Sequence, residues 1–365
     1  MEFKRIAFLI YNLGSGGAER VVSSLANSLV DYYKVTIITL VKTEPFYTLR
    51  PEIDLLHCRD EIKTVTNPIS SVYDGLVRIK TMYKLLKKNR IELLIGFMTT
   101  ANIYAIWASK LAKIPCIISE RANHEIYKLP KSIVKMRDFS YPHTNLLVVQ
   151  TEGNKKFYEN VITSSKIVVI QNPISPSLQS ERELPRKEVD KKIILNVGSF
   201  KSGKAQDLLI SAFANIPNDD WELILVGDGP NKKKFMQLAD NLNISRKTSF
   251  EGKRTDIHNY YKKASIFVFT SEHEGFPNAL MEALFFGVPS ISTNCPHGPA
   301  DLIQDNKNGY LVPVGDQVLL EEKMKRLMLQ ADLRTKFSQN SIKSTEKLKM
   351  ETISEIWKKH IDQLL

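Results

Sequence analysis

The sequence predicts an α/β protein made of two Rossmann-like, doubly wound parallel-sheet domains with a helical C-terminus. Three observations carry this. The chain has 365 residues, beyond the size at which a single hydrophobic core stops growing, so two domains of ordinary size are expected. Short β-branched runs alternate with helical periodicity in two successive series, the pattern of parallel sheets with crossover helices. Between the series lies Asn172 to Asp190, NPISPSLQSERELPRKEVD, with three prolines, many charges and no sustained period. It reads as a linker.

In the first series, strands are expected at Arg5 to Ile10, Val35 to Leu40, Ile53 to His57, Glu92 to Phe97, Cys116 to Ser119, Leu146 to Gln150 and Lys166 to Ile170. Ala18, Val21, Val22, Leu25, Ala26 and Leu29 form an i, i+3, i+4, i+7 stripe, so a helix follows the first strand. The second series places strands at Ile193 to Val197, Glu222 to Val226, Ser249 to Glu251, Ile266 to Thr270, Ser290 to Thr293 and Tyr310 to Val312. After about residue 316 only amphipathic helix remains. The domains are therefore placed at 1–175 and 191–345, with 176–190 as linker and 346–365 as a C-terminal helix. No period of solenoid length recurs.

Composition narrows the class further. With 43% apolar and 25% charged residues and only 16 Gly and 16 Pro, the chain is neither disordered nor collagen-like nor of low complexity. Cys58, Cys116 and Cys295 are odd in number and far apart, without CxxC or zinc spacing, so neither a disulfide framework nor a metal cluster is expected. The apolar run Ile6 to Ile10 is too short for a signal segment, and no membrane-spanning run is present. A cytoplasmic protein is expected. The net charge is +11, and residues 1–180, with 24 basic and 15 acidic side chains, contribute +9 of it. A basic half suits nucleic acid, an anionic membrane surface or a phosphorylated substrate, and charge does not choose among them.

Ligands of open parallel sheets bind at the carboxyl ends of strands, where glycine admits backbone amides and a helix N-terminus attracts an anion. Four stretches fit. Gly14-Ser15-Gly16-Gly17-Ala18-Glu19-Arg20 follows the first strand and suits a phosphate or a sugar, or is a plain tight turn. It is not a dinucleotide fingerprint, because Arg20 stands where the third small residue belongs. Gly198-Ser199-Phe200-Lys201-Ser202-Gly203-Lys204 precedes a helix expected to begin near Ala205, with Lys204 either aimed at an anion or solvated beside a cap. Ala205 replaces the Ser or Thr of a Walker loop. Ser271 to Asn278 (SEHEGFPN) leads into a helix over Ala279 to Phe286, with Pro277 in its first turn and free amides around Gly275 to Asn278 for a diphosphate. Glu274 and Glu282 lie eight apart there, able to hold two parts of one elongated ligand. The fourth stretch is Ser119-Glu120-Arg121-Ala122-Asn123-His124, where His124 is a catalytic group or an ordinary histidine. No Asp-x-Asp occurs, so no metal site for a diphosphate is expected.

Together these stretches resemble the retaining glycosyltransferases of the GT-B fold, glycosyltransferase family 4, over nearly the whole chain. The resemblance rests on E-x7-E in EGFPNALME (Glu274 to Glu282), GGAER (Gly16 to Arg20), GSFKSGKAQDLL, Gly227-Asp228-Gly229-Pro230 and GPADLIQDNKNGYLVP. It implies two Rossmann-like domains with a cleft between them, and a C-terminal helix returning to the N-terminal domain. It also implies that Lys204 binds the donor diphosphate, Glu282 the ribose and Glu274 the donor sugar. Amides of Gly275, Phe276, Pro277 and Asn278 would meet sugar and phosphates, Gly16 and Gly17 would lie beside the transferred sugar, and Gly227, Gly252, Lys253 and Arg254 would line the nucleotide pocket. Two departures stand out. Ser199 replaces an arginine common in the family, leaving Lys201 or another base for the second phosphate. Arg121 stands where many members have histidine, with His124 three residues on, so the catalytic role falls to either.

The wording SERAN and NCPHGPADLI is most similar to bacterial enzymes of polysaccharide or lipid-linked oligosaccharide assembly. That implies a nucleotide-sugar donor with UDP as the expected nucleotide, a glycan or lipid-diphosphate-linked acceptor, no metal or other cofactor, and a peripheral position at the inner face of the cytoplasmic membrane. Two basic amphipathic segments agree. Lys80, Lys84, Lys87 and Lys88 interleave with Leu76, Ile79, Tyr83 and Leu86, and Lys128, Lys131 and Lys135 with Ile133 and Val134. Ordinary solvated helix faces have the same pattern. A non-hydrolysing sugar-nucleotide epimerase on the same scaffold is the competing enzyme class. A nucleic-acid binder lacks the aromatic-basic interleaving that a stacking platform needs.

Overall fold

The computed structural model describes residues 3–60, 68–123, 128–183, 192–217 and 219–365. The chain forms two compact units, Met1–Pro173 with Met350–Leu365, and Ile174–Lys349.

The first unit opens with β1 (Arg5–Ile10), α1 (Gly17–Leu29), β2 (Lys34–Thr39) and β3 (Asp54–His57). It continues through α2 (Pro68–Lys88), β4 (Leu93–Phe97), α3 (Thr99–Ala112), β5 (Cys116–Ser119), α4 (Lys131–Ser140), β6 (Leu146–Val149), α5 (Glu152–Tyr158) and β7 (Ile167–Val169). All seven strands run parallel in the order β3-β2-β1-β4-β5-β6-β7. Their apolar runs are nearly continuous because helices cover both faces. Phe8, paired with Ile37 and Ile95, is fully buried with Val21, Val22, Leu25 and Leu29 of α1 on one face. Met82 and Leu86 of α2 and Ala101, Ala105 and Ile106 of α3 fill the other.

The second unit runs α6 (Pro176–Glu183), β8 (Lys192–Val197), α7 (Gln206–Ala214), β9 (Trp221–Val226), α8 (Lys232–Asn241), β10 (Thr248–Phe250), α9 (Ile257–Lys263) and β11 (Ile266–Phe269). Then come α10 (Asn278–Phe285), β12 (Ser290–Thr293), α11 (Pro299–Leu302), β13 (Gly309–Val312), α12 (Gln317–Leu329) and α13 (Ala331–Thr345). Its six parallel strands are ordered β10-β9-β8-β11-β12-β13. The final helix, α14 (Met350–Asp362), belongs to the first unit, where Ile353, Trp357 and Ile361 join the α1 face of the core.

All thirteen expected strands are present, displaced by one residue at most at either end. The linker reading needs correction. Residues 176–183 form α6, because Leu178 buries in the second core and Arg182 lies 3.9 Å over the Phe285 ring. Glu181 also pairs with Lys262 at 3.0 Å. Tertiary partners thus make a helix of a segment whose own periodicity is weak. The remainder of the expected linker, 184–190, lies outside the described residues.

In each sheet the strand order reverses once, between β1 and β4 and between β8 and β11. Crossover helices leave those points to opposite sides, which opens a crevice at the carboxyl ends of the two strands.

Candidate active site

At the reversal point of the second unit, the loops after β8 and β11 are tied together. The Glu272 amide donates to the Gly203 carbonyl at 2.9 Å, and Thr270 Oγ1 donates to the Lys204 carbonyl at 3.0 Å. Gly203 has φ +81° and the His273 ring packs where its Cβ would stand, 2.2 Å from Cε1. Any other residue would strain the backbone there and displace the His273 ring. Ala205 takes a left-handed conformation as the N-cap of α7, so that helix begins one residue later than expected. The result brings Lys204 and Glu274 together: Nζ donates to the Glu274 carboxylate, with the amine 5.8 Å from the Phe269 ring centroid. The Glu274 side chain is 11% exposed and that of Lys204 25%. One cation and one anion, 70 residues apart in sequence, therefore face each other at the place where a ligand of this fold binds.

Behind them, α10 is apolar beyond its first residue, Asn278, except at Glu282, which is buried beside Leu280, Met281, Ala283 and Leu284. Tyr261 Oη donates to Glu282 Oε2 at 3.1 Å, holding the carboxylate from α9. Pro277 occupies the N-cap position and α10 begins at Asn278. The expected row of amides is correspondingly shorter. Pro277 has no N–H, and the Asn278 amide already donates to the Phe276 carbonyl at 3.0 Å, which leaves Gly275 and Phe276. Cys295, after β12, is buried near Glu274 and Lys204, and burial together with the Glu274 charge pushes its thiol up to about 12. It is a neutral filler at physiological pH.

Gly227 has φ +149° and a Cβ there would sit 1.9 Å from the Gly198 carbonyl oxygen. This close approach lets the β9 loop cross beneath the β8 loop. The Gly227 amide donates to the Gly252 carbonyl at 2.9 Å, so Gly198, Gly227 and Gly252 form one edge. Lys253 and Arg254 are exposed beyond it, Arg254 paired with Glu251 at 2.7 Å. The Ser199 carbonyl accepts from Gln206 Nε2 at 3.2 Å. Lys201 is exposed.

In the first unit, Gly16 is the N-cap of α1 and Gly17 its first residue. The Glu19 carboxylate folds back over Gly16, so closely that a Cβ there would collide with it. Arg121 follows β5, with Nη1 donating to Asn172 Oδ1 at 2.6 Å and the guanidinium 5.1 Å from the Phe97 ring centroid. Next to it Glu120 is buried and accepts from Tyr141 Oη at 2.6 Å and Thr99 Oγ1 at 2.9 Å. His124 lies outside the described residues.

Comparison with known proteins gives this geometry a lineage. Residues 15–178 match the family model Glycosyltransferase Family 4, and residues 179–344 match Glycosyl transferases group 1. The chain belongs to glycosyltransferase family 4. This glycosyltransferase is 28% identical over 364 residues to a Campylobacter jejuni alpha-1,4-N-acetyl-D-galactosaminyltransferase named for a diphospho-undecaprenol-linked acceptor, with 99% of each chain covered. It is also 28% identical over 353 residues to a second C. jejuni N-acetylgalactosaminyltransferase acting on a diphospho-undecaprenol substrate, covering 94% of this chain and 95% of the other. Among solved structures, a glycosyltransferase from Rickettsia africae matches with TM-score 0.84 at 19% identity, covering 100% of this chain and 99% of that one. Anabaena HepE in complex with UDP matches with TM-score 0.79 at 16% identity, covering 99% of this chain and 100% of that one. These neighbours establish the GT-B fold.

Several residues of the candidate site carry no sequence signal. Tyr261, which holds Glu282, and Phe269, beneath Lys204, read as strand and helix core. Asn172, which meets Arg121, fell in the presumed linker. The lysines named from sequence are all exposed: Lys80, Lys84, Lys87 and Lys88 on α2, Lys131 and Lys135 on α4, and Lys128 ahead of it. Leu76, expected on the apolar face of α2, is 61% exposed. Leu86 is buried as expected, and Met82, which the sequence reading did not name, is buried beside it. Both helices pack beside α3, and exposed Phe139 of α4 stacks on Trp107 of α3 at 5.7 Å. Among the described residues, no helix is long and apolar enough to cross a membrane.

Proposed function

We propose that this glycosyltransferase moves a hexose or N-acetylhexosamine from a UDP-sugar to a glycan carried on a lipid diphosphate, with retention at the anomeric carbon and without a metal ion, in the assembly of bacterial surface polysaccharide or glycoprotein glycans. The observation that carries the reading is the Lys204–Glu274 pair at the β8/β11 reversal, with the start of α10 beside it. Breaking a sugar–diphosphate bond develops negative charge on the leaving group, and a lysine and a helix N-terminus aimed there stabilise it without reorganising. Donor binding exchanges partners: Lys204 turns from Glu274 to the diphosphate, and Glu274 is released to the hydroxyls of the sugar. Glu282, fixed by Tyr261, receives the ribose hydroxyls. The acceptor hydroxyl then attacks the anomeric carbon on the face the diphosphate leaves, and a departing phosphate oxygen takes its proton. In the first unit, Arg121 or His124 takes the catalytic role that a histidine has in many members of the family. The names of the C. jejuni relatives support the lipid-diphosphate acceptor, and the alpha linkage printed for them is what retention delivers from an alpha-linked donor.

Turnover of a panel of UDP-sugars with a prenyl-diphosphate-linked glycan tests this. The product's anomeric configuration, read by NMR, equals the donor's, and the rate persists in EDTA. An inverted linkage removes the retaining mechanism. Loss in EDTA restored by Mg²⁺ or Mn²⁺ removes the metal-free one.

A lipid-linked acceptor also places the enzyme at the inner face of the cytoplasmic membrane. Exposed lysines each contribute roughly 1 kcal/mol near anionic lipid, screened by salt. The protein therefore sediments with anionic vesicles at low salt and less with neutral ones. Reversing Lys80, Lys84, Lys87 and Lys88 to glutamate abolishes sedimentation while donor binding stays intact. Binding that survives the reversal moves the contact to Lys128, Lys131 and Lys135, and no binding by wild type argues for a soluble acceptor.

A further inference from the structure

Arg121 is held on two sides and lacks a hydrogen-bond acceptor on the third. Its plane lies over Phe97 and its Nη1 donates to Asn172 Oδ1, which also accepts from Gln150 Nε2 at 2.7 Å. Nε and Nη2 are shut off from solvent and have no hydrogen-bond acceptor among the described residues. These two nitrogens share one edge of the guanidinium, an edge that takes a carboxylate or phosphate through two parallel hydrogen bonds. The neighbouring acid does not supply that partner: Glu120 Oε2 accepts from Thr99 and Tyr141, and Oε1 accepts from the Arg121 backbone amide at 3.1 Å. Burial lowers the guanidinium to about 9, so it is still a cation at neutral pH. A desolvated cation with two unfilled donors is costly, and an oxyanion relieves that cost.

We propose that the Nε–Nη2 edge of Arg121 is the receptor for a phosphate group of the substrate, held bidentately at the carboxyl end of β5. The inference rests on the reading that the substrates carry diphosphates, and two of them do, the donor nucleotide and the lipid-linked acceptor. The edge is covered in this structure, so the phosphate reaches it by displacing the cover. Arginine is required here because lysine carries the charge without the fork.

Calorimetric titration of Arg121→Lys and Arg121→Gln tests this, with inorganic pyrophosphate as the probe and Lys204→Ala as the common background, so that the lysine of the second unit does not mask the result. Pyrophosphate binds at least tenfold more weakly to both variants than to the background protein. Titrations of the single variants with UDP and with geranyl diphosphate then tell the source: loss for UDP alone assigns the donor, and loss for geranyl diphosphate alone the acceptor. Pyrophosphate affinity unchanged in Arg121→Gln overturns the proposal, as does full affinity in Arg121→Lys. Arg121→Gln melts no lower than wild type, because it removes two unfilled buried donors. A lower melting temperature with unchanged pyrophosphate affinity makes Arg121 a structural strut and also overturns it. The substrate reading fails separately, through absence of turnover with every UDP-sugar, while the pyrophosphate titration still reports on the edge.

Discussion

Lys204→Ala lowers turnover by about a hundredfold or more, the scale on which removing one preorganised charge-stabilising group acts. Glu274→Gln does the same, but the two variants part in their binding of UDP. Removing the lysine leaves the Glu274 carboxylate, only 11% exposed, facing an incoming diphosphate with no cation between them, and UDP binds more weakly. Neutralising the glutamate frees Lys204 from its ion pair, and UDP binds more tightly although catalysis falls. The double variant is then less impaired than the sum of the two, since each single change also acts on the partner left behind. Steady-state kinetics with UDP titration check all three. Wild-type turnover in both single variants would place the chemistry elsewhere. Glu282→Ala is the contrast: ribose contacts are equal in ground and transition states, so it raises KM more than it lowers kcat.

The second large effect concerns stability. Trp357→Ala in α14 destabilises the first unit by about 3–5 kcal/mol, as truncation of a buried aromatic does. Trp357 is 1% exposed and stacks on Phe97 at 5.8 Å with 22° between the planes. The ring it supports also carries the Arg121 guanidinium, so the substitution reaches the carboxyl end of β4 and β5 as well as the core. Denaturant unfolding shows the loss as an earlier transition of the first unit alone, with the second unfolding as in wild type. Coincident, unshifted transitions would mean that α14 contributes no more than a surface helix.

Much of the fold was legible because parallel strands covered on both faces must be apolar over their whole length, and runs such as Ile6–Ile10 and Ile266–Phe269 announce themselves. The α1 stripe was equally plain, since one face of it must bury. Helix α6 was not. Its prolines and charges speak for a linker, and only Leu178 in the second core and Arg182 over Phe285 make it helical. The glycines of the site were visible as residues, yet their reasons were not: Gly227 answers to the Gly198 carbonyl and Gly203 to the His273 ring, contacts between segments distant in the chain.

Sequence by itself determined the two α/β series, their thirteen strands and the four loops at strand ends, because these follow from local periodicity and from glycine and proline chemistry. Tertiary structure decided which of those loops meet. The strand order reverses at β8/β11, and that reversal joins Lys204 to Glu274 and places Tyr261 behind Glu282. The return of α14 to the first unit set Trp357 under Phe97, and the neighbours of β5 left one edge of Arg121 unfilled. Periodicity within a segment records which face is buried. It holds no record of the partner, which is chosen by the path of the chain between the segments.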